Sequence, residues 1–154
     1  MNRVAAIEDR VDRVLQGLRE EEEKKYGYTH LYGVAQFAAL LAMKRRVNVE
    51  LAMVAGLLHD IYTYQAQDPV DHARKGAELA RQILGEVGAF SPQEIEAVSH
   101  AIACHSDKGR IDRPLDEVLK DADVLQHWLG GGIAPSWAEE AQRLARLREE
   151  LGME

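Results

Sequence analysis

The chain has 154 residues, 46% hydrophobic and 29% charged, with a formal net charge of −7 and a pI near 5.4. That length is enough for a core, and the acid excess speaks against a broad nucleic-acid footprint, which needs a basic face. The single cysteine, Cys104, excludes an internal disulfide and a Cys-based zinc site.

Apolar residues recur at helical spacing throughout, and Pro and Gly fall between the periodic segments. An all-α domain of about seven helices is expected. Residues 1–20 are heavily charged and carry no signal-peptide pattern. No apolar run approaches the ~20 residues of a membrane span. The expected location is the cytoplasm, with no membrane partner.

The first helix places Val4, Ile7, Val11, Val14, Leu15 and Leu18 on one stripe. That stripe packs either on its own domain or on a second copy, as in a homodimer. It runs into a charged stretch around residues 19–28, read as a hinge. A second helix is expected over 29–46, with Leu31, Val34, Ala35, Ala38, Leu41 and Ala42 on one face. Asn48 can cap the third helix, which should end near Tyr62. Asp68 and Pro69 fit the N-cap and first position of the fourth, which stops at Gly88. Ser91, Pro92 and Glu94 form a capping box for the fifth, ending near Cys104. Pro114 opens the sixth, terminated by Gly130, Gly131 and Gly132. Ser136 and Glu139 read as a capping box for the last.

The third helix raises a chemical question. Residues 51–58 are apolar on nearly every side, so the helix is buried and its end lies deep in the fold. There it carries His59 and Asp60. A lone carboxylate at such a place is costly or protonated, unless a cation or a metal compensates it. The plainer alternative is a hydrogen-bonded pair capping nearby backbone. The chain holds six histidines, His30, His59, His72, His100, His105 and His127, all between the first and last helices. Asp121 and Asp123 lie about 200° apart on the sixth helix, so only one can aim at a common centre. Periodicity does not choose between them.

The order His30, His59-Asp60, Asp123, in the stretches "YTHLYGVAQFAALLA", "AGLLHDI" and "LKDADVL", resembles the H…HD…D signature of the HD superfamily of metal-dependent phosphohydrolases. The resemblance spans about residues 26–129 of an HD-type helical domain expected over 1–154. It implies one metal on His30, His59, Asp60 and Asp123, with Asp121 supporting from behind. It further nominates His72 and His105, with Asp60 as bridge, for a second metal, as in branches with extra histidines. Asp60 and His59 become the catalytic pair. The chain lacks the GYP motif of the cyclic-di-nucleotide branch and a synthetase domain like that attached in alarmone enzymes.

Phosphoester hydrolysis needs charge neutralised on phosphoryl oxygens and an activated water, and a divalent metal supplies both. Mixed His and carboxylate donors suit Mn, Fe, Co, Ni or Zn rather than calcium. One or two such ions are expected. His100 either joins the second metal, holds a substrate oxygen or sits on the helix flank. His127 lies one turn after Asp123 and is expected to support or pack. Arg74, Lys75, Lys108 and Arg110 follow the nominated histidines and are candidates to receive phosphate. Tyr26, Tyr28, Tyr32, Tyr62 and Tyr64 can pack or stack on a base. The leading expectation is a hydrolase for a small phosphorylated metabolite, a nucleotide above others. The alternatives are an HD-type mixed-valent di-iron oxygenase and a non-catalytic metal or nucleotide sensor.

Overall fold

The computed structural model describes residues 2–153, so the first and last residues of the expected 1–154 range lie outside it. Among the described residues there are eight helices and no strand. They are α1 (Arg3–Gln16), α2 (Glu21–Arg45), α3 (Val49–Leu58), α4 (Ile61–Ala66), α5 (His72–Val87), α6 (Pro92–Cys104), α7 (Pro114–Leu129) and α8 (Ala138–Glu150). The all-α class stands. The eighth helix arises because the chain breaks at His59-Asp60 and restarts as the short α4. None of these helices is long and apolar enough to cross a membrane.

α2 is the axis, packing against both α3 and α7. It begins well before residue 29, because the charged stretch is its first two turns rather than a hinge. Glu21, Glu22 and Glu23 sit in the first turn, where the helix dipole favours acid. Gly27 then lets α2 pass close to its neighbours: a Cβ there would lie 2.6 Å from Leu15 Cδ2. The α1 stripe is consumed within the chain, with Ile7, Val11 and Leu15 fully buried. Arg3 ties α1 to the starts of α3 and α6 through Glu50 and Glu94.

Gly56 sets the closest approach in the core. A Cβ at Gly56 would stand 2.6 Å from Ala35 Cα and 2.7 Å from Ala35 N, both backbone atoms of α2. Only glycine allows α3 to lie this near, and that closeness brings the end of α3 up to His30. Gly56→Ala is expected to destabilise the fold by about 3 kcal/mol, since overpacking against backbone cannot relax by side-chain motion. A urea or thermal melt checks this.

Two helix starts differ from the sequence reading. Asp68 does not cap α5; it accepts from Val70 N at 2.9 Å in a local turn. The helix waits for Asp71, which adopts a left-handed conformation with φ 53, and starts at His72. Asp-Pro opens a turn as readily as a helix. At the last helix Trp137, not Ser136, is the N-cap, and Glu140 rather than Glu139 reaches back to Ser136 N. The capping box at Ser91 and Glu94 and the limits of α7 are as expected.

Candidate metal centre

The nominated ligands come from the ends of α3, α5 and α6 and from one face each of α2 and α7. Helix ends release backbone carbonyls that have no partner in the helix. Two histidines use them, and a third uses a carbonyl of the loop before α5. His59, the C-cap of α3, donates Nδ1–H to Gly56 O at 2.7 Å. His105, the C-cap of α6, donates to Ile102 O at 2.6 Å. His72, the first residue of α5, donates to Pro69 O at 3.2 Å. His30, on α2, donates to a side-chain carbonyl instead, Gln126 Oε1 at 2.6 Å. A carbonyl only accepts, so each Nδ1 carries the proton and each Nε2 is turned inward.

The inward nitrogens surround two carboxylates. His30 Nε2 lies 3.2 Å from Asp60 Oδ2, 3.5 Å from Asp123 Oδ1 and 3.1 Å from His59 Nε2. His59 Nε2 lies 3.3 Å from Asp60 Oδ2 and 3.6 Å from Asp123 Oδ1. On the other side, Asp60 Oδ1 lies 3.2 Å from His105 Nε2 and 3.5 Å from His72 Nε2. Asp60 therefore offers one oxygen to each of two groups. The donor atoms of His30, His59 and Asp60 lie within 4.8 Å of one another, as do those of Asp60, His72 and His105.

These residues fit a divalent cation. Asp60 Oδ1 and Asp123 Oδ1 are buried and make no hydrogen bond of acceptable geometry. A buried carboxylate oxygen facing imidazole nitrogens without a hydrogen bond is costly unless a cation sits between them. The N and O donors are those that transition metals take, with too few oxygens for a calcium cage.

Burial would lower the pKa of His59, but the Asp60 carboxylate and then Asp123 outweigh it and push it up to about 10. Burial would raise Asp60 and Asp123. The neighbouring His59 charge and the His105 and His30 rings hold Asp60 well below the carboxylate range. Lys108 and His59 do the same for Asp123. Burial pushes His105 down. Both carboxylates are thus anionic and His105 is neutral at physiological pH, as ligation needs, while His59, held charged between the carboxylates, must release its proton for Nε2 to take a metal.

Of the four basic residues nominated for phosphate, Lys108 alone is brought to the cluster. Its Nζ donates to Asp123 Oδ2 at 2.7 Å and to His105 O at 2.5 Å. Arg74 is exposed and binds Asp71 and Glu78, and Lys75 pairs with Asp68. Arg110 is exposed and pairs with Asp112. Asp121 faces away from the cluster, held by Arg45 at 2.8 Å and Arg143 at 3.0 Å. His100 binds Asp116 Oδ2 at 2.8 Å beside Cys104, a separate grouping between α6 and α7. His127 stacks on His30 with centroids 4.8 Å apart, and its Nε2 is 3.9 Å from Asp123 Oδ1. Tyr26 stacks at 5.8 Å from the same imidazole.

Gln126 was not anticipated from the sequence. It lies three residues after Asp123, and the only hint is Gly33 on α2, where a Cβ would meet Gln126 Cγ at 2.9 Å. Removing a partner that orients a ligating histidine costs about 10–100-fold in metal affinity. Gln126→Ala should show that loss in a competition titration with a metal indicator, with the fold intact.

The HD domain family model matches residues 27–128. YueE of Bacillus subtilis (strain 168), named as a phosphohydrolase, is 34% identical over 124 residues, covering 70% of each chain. Ribonuclease Y of Cutibacterium acnes (strain DSM 16379 / KPA171202) is 30% identical over 148 residues, covering 93% of this chain but 25% of that protein. In three dimensions the chain is similar to a predicted HD superfamily hydrolase from an uncultured Thermotogales bacterium, with a TM-score of 0.65 at 23% identity, covering 92% of this chain and 87% of the other. A matched segment that runs from within α2 into the last turn of α7, five of whose helices supply the clustered histidines and aspartates, makes this chain a member of the HD domain family.

Proposed function

We propose that the chain hydrolyses a phosphoester or phosphoanhydride of a small metabolite, a nucleotide being the favoured class. His30, His59, Asp60 and Asp123 would hold one divalent transition metal, and Asp60, His72 and His105 a second. The observation that carries this reading is the common orientation of four histidines, each with Nδ1 occupied by a carbonyl and Nε2 turned toward Asp60 or Asp123. The two buried carboxylate oxygens left without a hydrogen bond, Asp60 Oδ1 and Asp123 Oδ1, face these nitrogens across a gap that a cation would fill. The relative named as a phosphohydrolase supports the reaction class.

Bound there, a divalent ion supplies Lewis-acid charge for phosphoryl oxygens and lowers the pKa of water. The chain's own part is to bind and orient. Lys108 Nζ stands at the rim of the cluster and can donate to a phosphoryl oxygen. Tyr26 and His127 clamp the faces of His30 and fix its ring plane. Asp60 and Asp123 both stay ionised, so two carboxylates face the place a cation would enter. The net charge of −7 favours small substrates over a long polyanion. The ribonuclease Y relatives are about four times longer than the matched region, so their substrate does not transfer with it.

The test is phosphate and pyrophosphate release from nucleoside mono-, di- and triphosphates with Mn²⁺ on protein purified without added metal. Release that a chelator removes and Mn²⁺ restores is the expected result. Tightly bound iron with O₂ consumption, and no phosphate, would replace this reading by an oxygenase.

A further inference from the structure

Trp137 is 70% exposed, at the end of the segment joining α7 to α8. A tryptophan so placed gives nothing to the core. The segment is nevertheless folded back rather than loose: Gly132 takes φ 62, and Ile133 N donates to His127 O at 2.8 Å. The indole then stands between two cavities. One, of about 320 Å³, runs from Trp137 to Ser106, Lys108 and Gly109, with Glu139 and Glu140 on the α8 side. The other, of about 150 Å³, runs from Trp137 past Ile133 and Pro135 to His127.

Each cavity reaches a residue that touches the proposed ligands. Lys108 Nζ is 2.7 Å from Asp123 Oδ2, and His127 stacks on His30. The first cavity carries one cation, Lys108, and three carboxylates, Asp107, Glu139 and Glu140. A phosphate would be repelled by these carboxylates and drawn past them to Lys108 and the cluster. The part of the molecule beside Trp137 would be uncharged, planar enough to stack and able to donate N–H to a carboxylate.

We propose that Trp137 is the platform on which the planar part of the substrate stacks, with its phosphate toward Lys108, so that the substrate is a phosphate ester carrying a nucleobase. This rests on the phosphohydrolase reading above. A base stacked on an aromatic side chain is a sequence-tolerant contact worth about five- to hundred-fold in affinity. Trp137 thereby sets which esters are used, while the cluster sets the chemistry.

The experiment compares nucleoside monophosphates with ribose 5-phosphate, which keeps the phosphate and sugar but lacks the base. Steady-state kinetics with Mn²⁺ are run on the wild type, Trp137→Ala and Trp137→Phe. In Trp137→Ala the ratio of kcat/KM for nucleotide over ribose 5-phosphate should fall about ten-fold, through KM rather than kcat. Phe at the same position should restore most of it. A binding readout runs in parallel. The chain has two tryptophans, so Trp128→Phe leaves Trp137 as the sole indole. Its fluorescence should be quenched saturably by the nucleotide and not by ribose 5-phosphate. Equal losses on both esters, an unchanged ratio, or no selective quenching would overturn the platform. Phosphate release with an unchanged ratio removes the platform and leaves the phosphohydrolase. Selective quenching without release of any phosphate does the reverse.

Discussion

Asp60→Ala is expected to eliminate Mn²⁺-dependent phosphate release, a larger loss than the roughly 10–100-fold that follows from removing a ligand's hydrogen-bond partner. The reason is its position between two groups. Oδ2 faces His30 and His59, and Oδ1 faces His105 and His72. One substitution takes a donor from both. Asp123 faces His30, His59 and His127, lies within reach of His105 and binds Lys108, but stands outside the group of Asp60, His72 and His105. Asp123→Ala should therefore leave the Asp60, His72 and His105 group intact, whereas Asp60→Ala takes a donor from both groups and should retain less metal. Metal stoichiometry after dialysis separates the two. Full activity in Asp60→Ala, with circular dichroism showing an intact fold, would sink the metal-centred account.

The second large effect is expected outside the matched segment. Arg143, on α8, is 2% exposed. Its guanidinium binds Glu117 at 2.5 Å and Asp121 at 3.0 Å, and donates to the carbonyls of Lys108 and Arg110 at 2.7 and 2.9 Å. Lys120, fully buried, donates to Arg110 O and Asp112 at 2.7 Å each. These two cations pin the loop between α6 and α7, which carries Lys108. Arg143→Met keeps much of the volume but leaves Glu117 and Asp121 short of a partner and frees the Lys108 carbonyl, while Arg110 O keeps Lys120. Breaking one side of a buried ion pair costs about 3–5 kcal/mol. Arg45 still serves Asp121, so the lower end applies, a fall in Tm of roughly 6–12 °C by thermal melt. Surviving protein should also bind phosphate less well, because Lys108 loses the backbone anchor that aims it. An unchanged Tm would show the network contributes nothing net.

What the residues revealed beforehand was the part governed by local rules. The Ser91-Pro92-Glu94 start, the Gly88 stop and the span of α7 depend on neighbours a few residues apart, and the structure has them as expected. The apolar run 51–58 ending on His59 and Asp60 was legible because burial of a whole helix shows in its composition. Other features depend on partners far along the chain. Residues 21–28 look like a solvated hinge until Leu15 and Tyr64 are seen packed against Gly27. Arg74, Lys75, Lys108 and Arg110 are equivalent as letters, yet Lys108 alone meets Asp123, because the loop geometry depends on Arg143 at a separation of 35 residues. Asp121 and Asp123 could not be told apart by periodicity; Arg45 and Arg143 claim the first and leave the second for the cluster.

Three of the four inward-turned imidazoles are steered by main-chain carbonyls, those of Gly56, Ile102 and Pro69. A main-chain carbonyl is present whatever side chain is attached to it. Point substitution at residues 69 and 102 can disturb packing but cannot delete the acceptor, so the orientation of these rings is insured against sequence drift in a way the Gln126 contact is not. In a saturation mutagenesis screen the positions behind His72 and His105, Pro69 and Ile102, should keep these rings oriented with many residues, whereas Gly56 behind His59 is held to glycine by the backbone of Ala35. Gln126 should tolerate few. The centre is in this sense a property of where helices stop, and only secondarily of the residues that surround it.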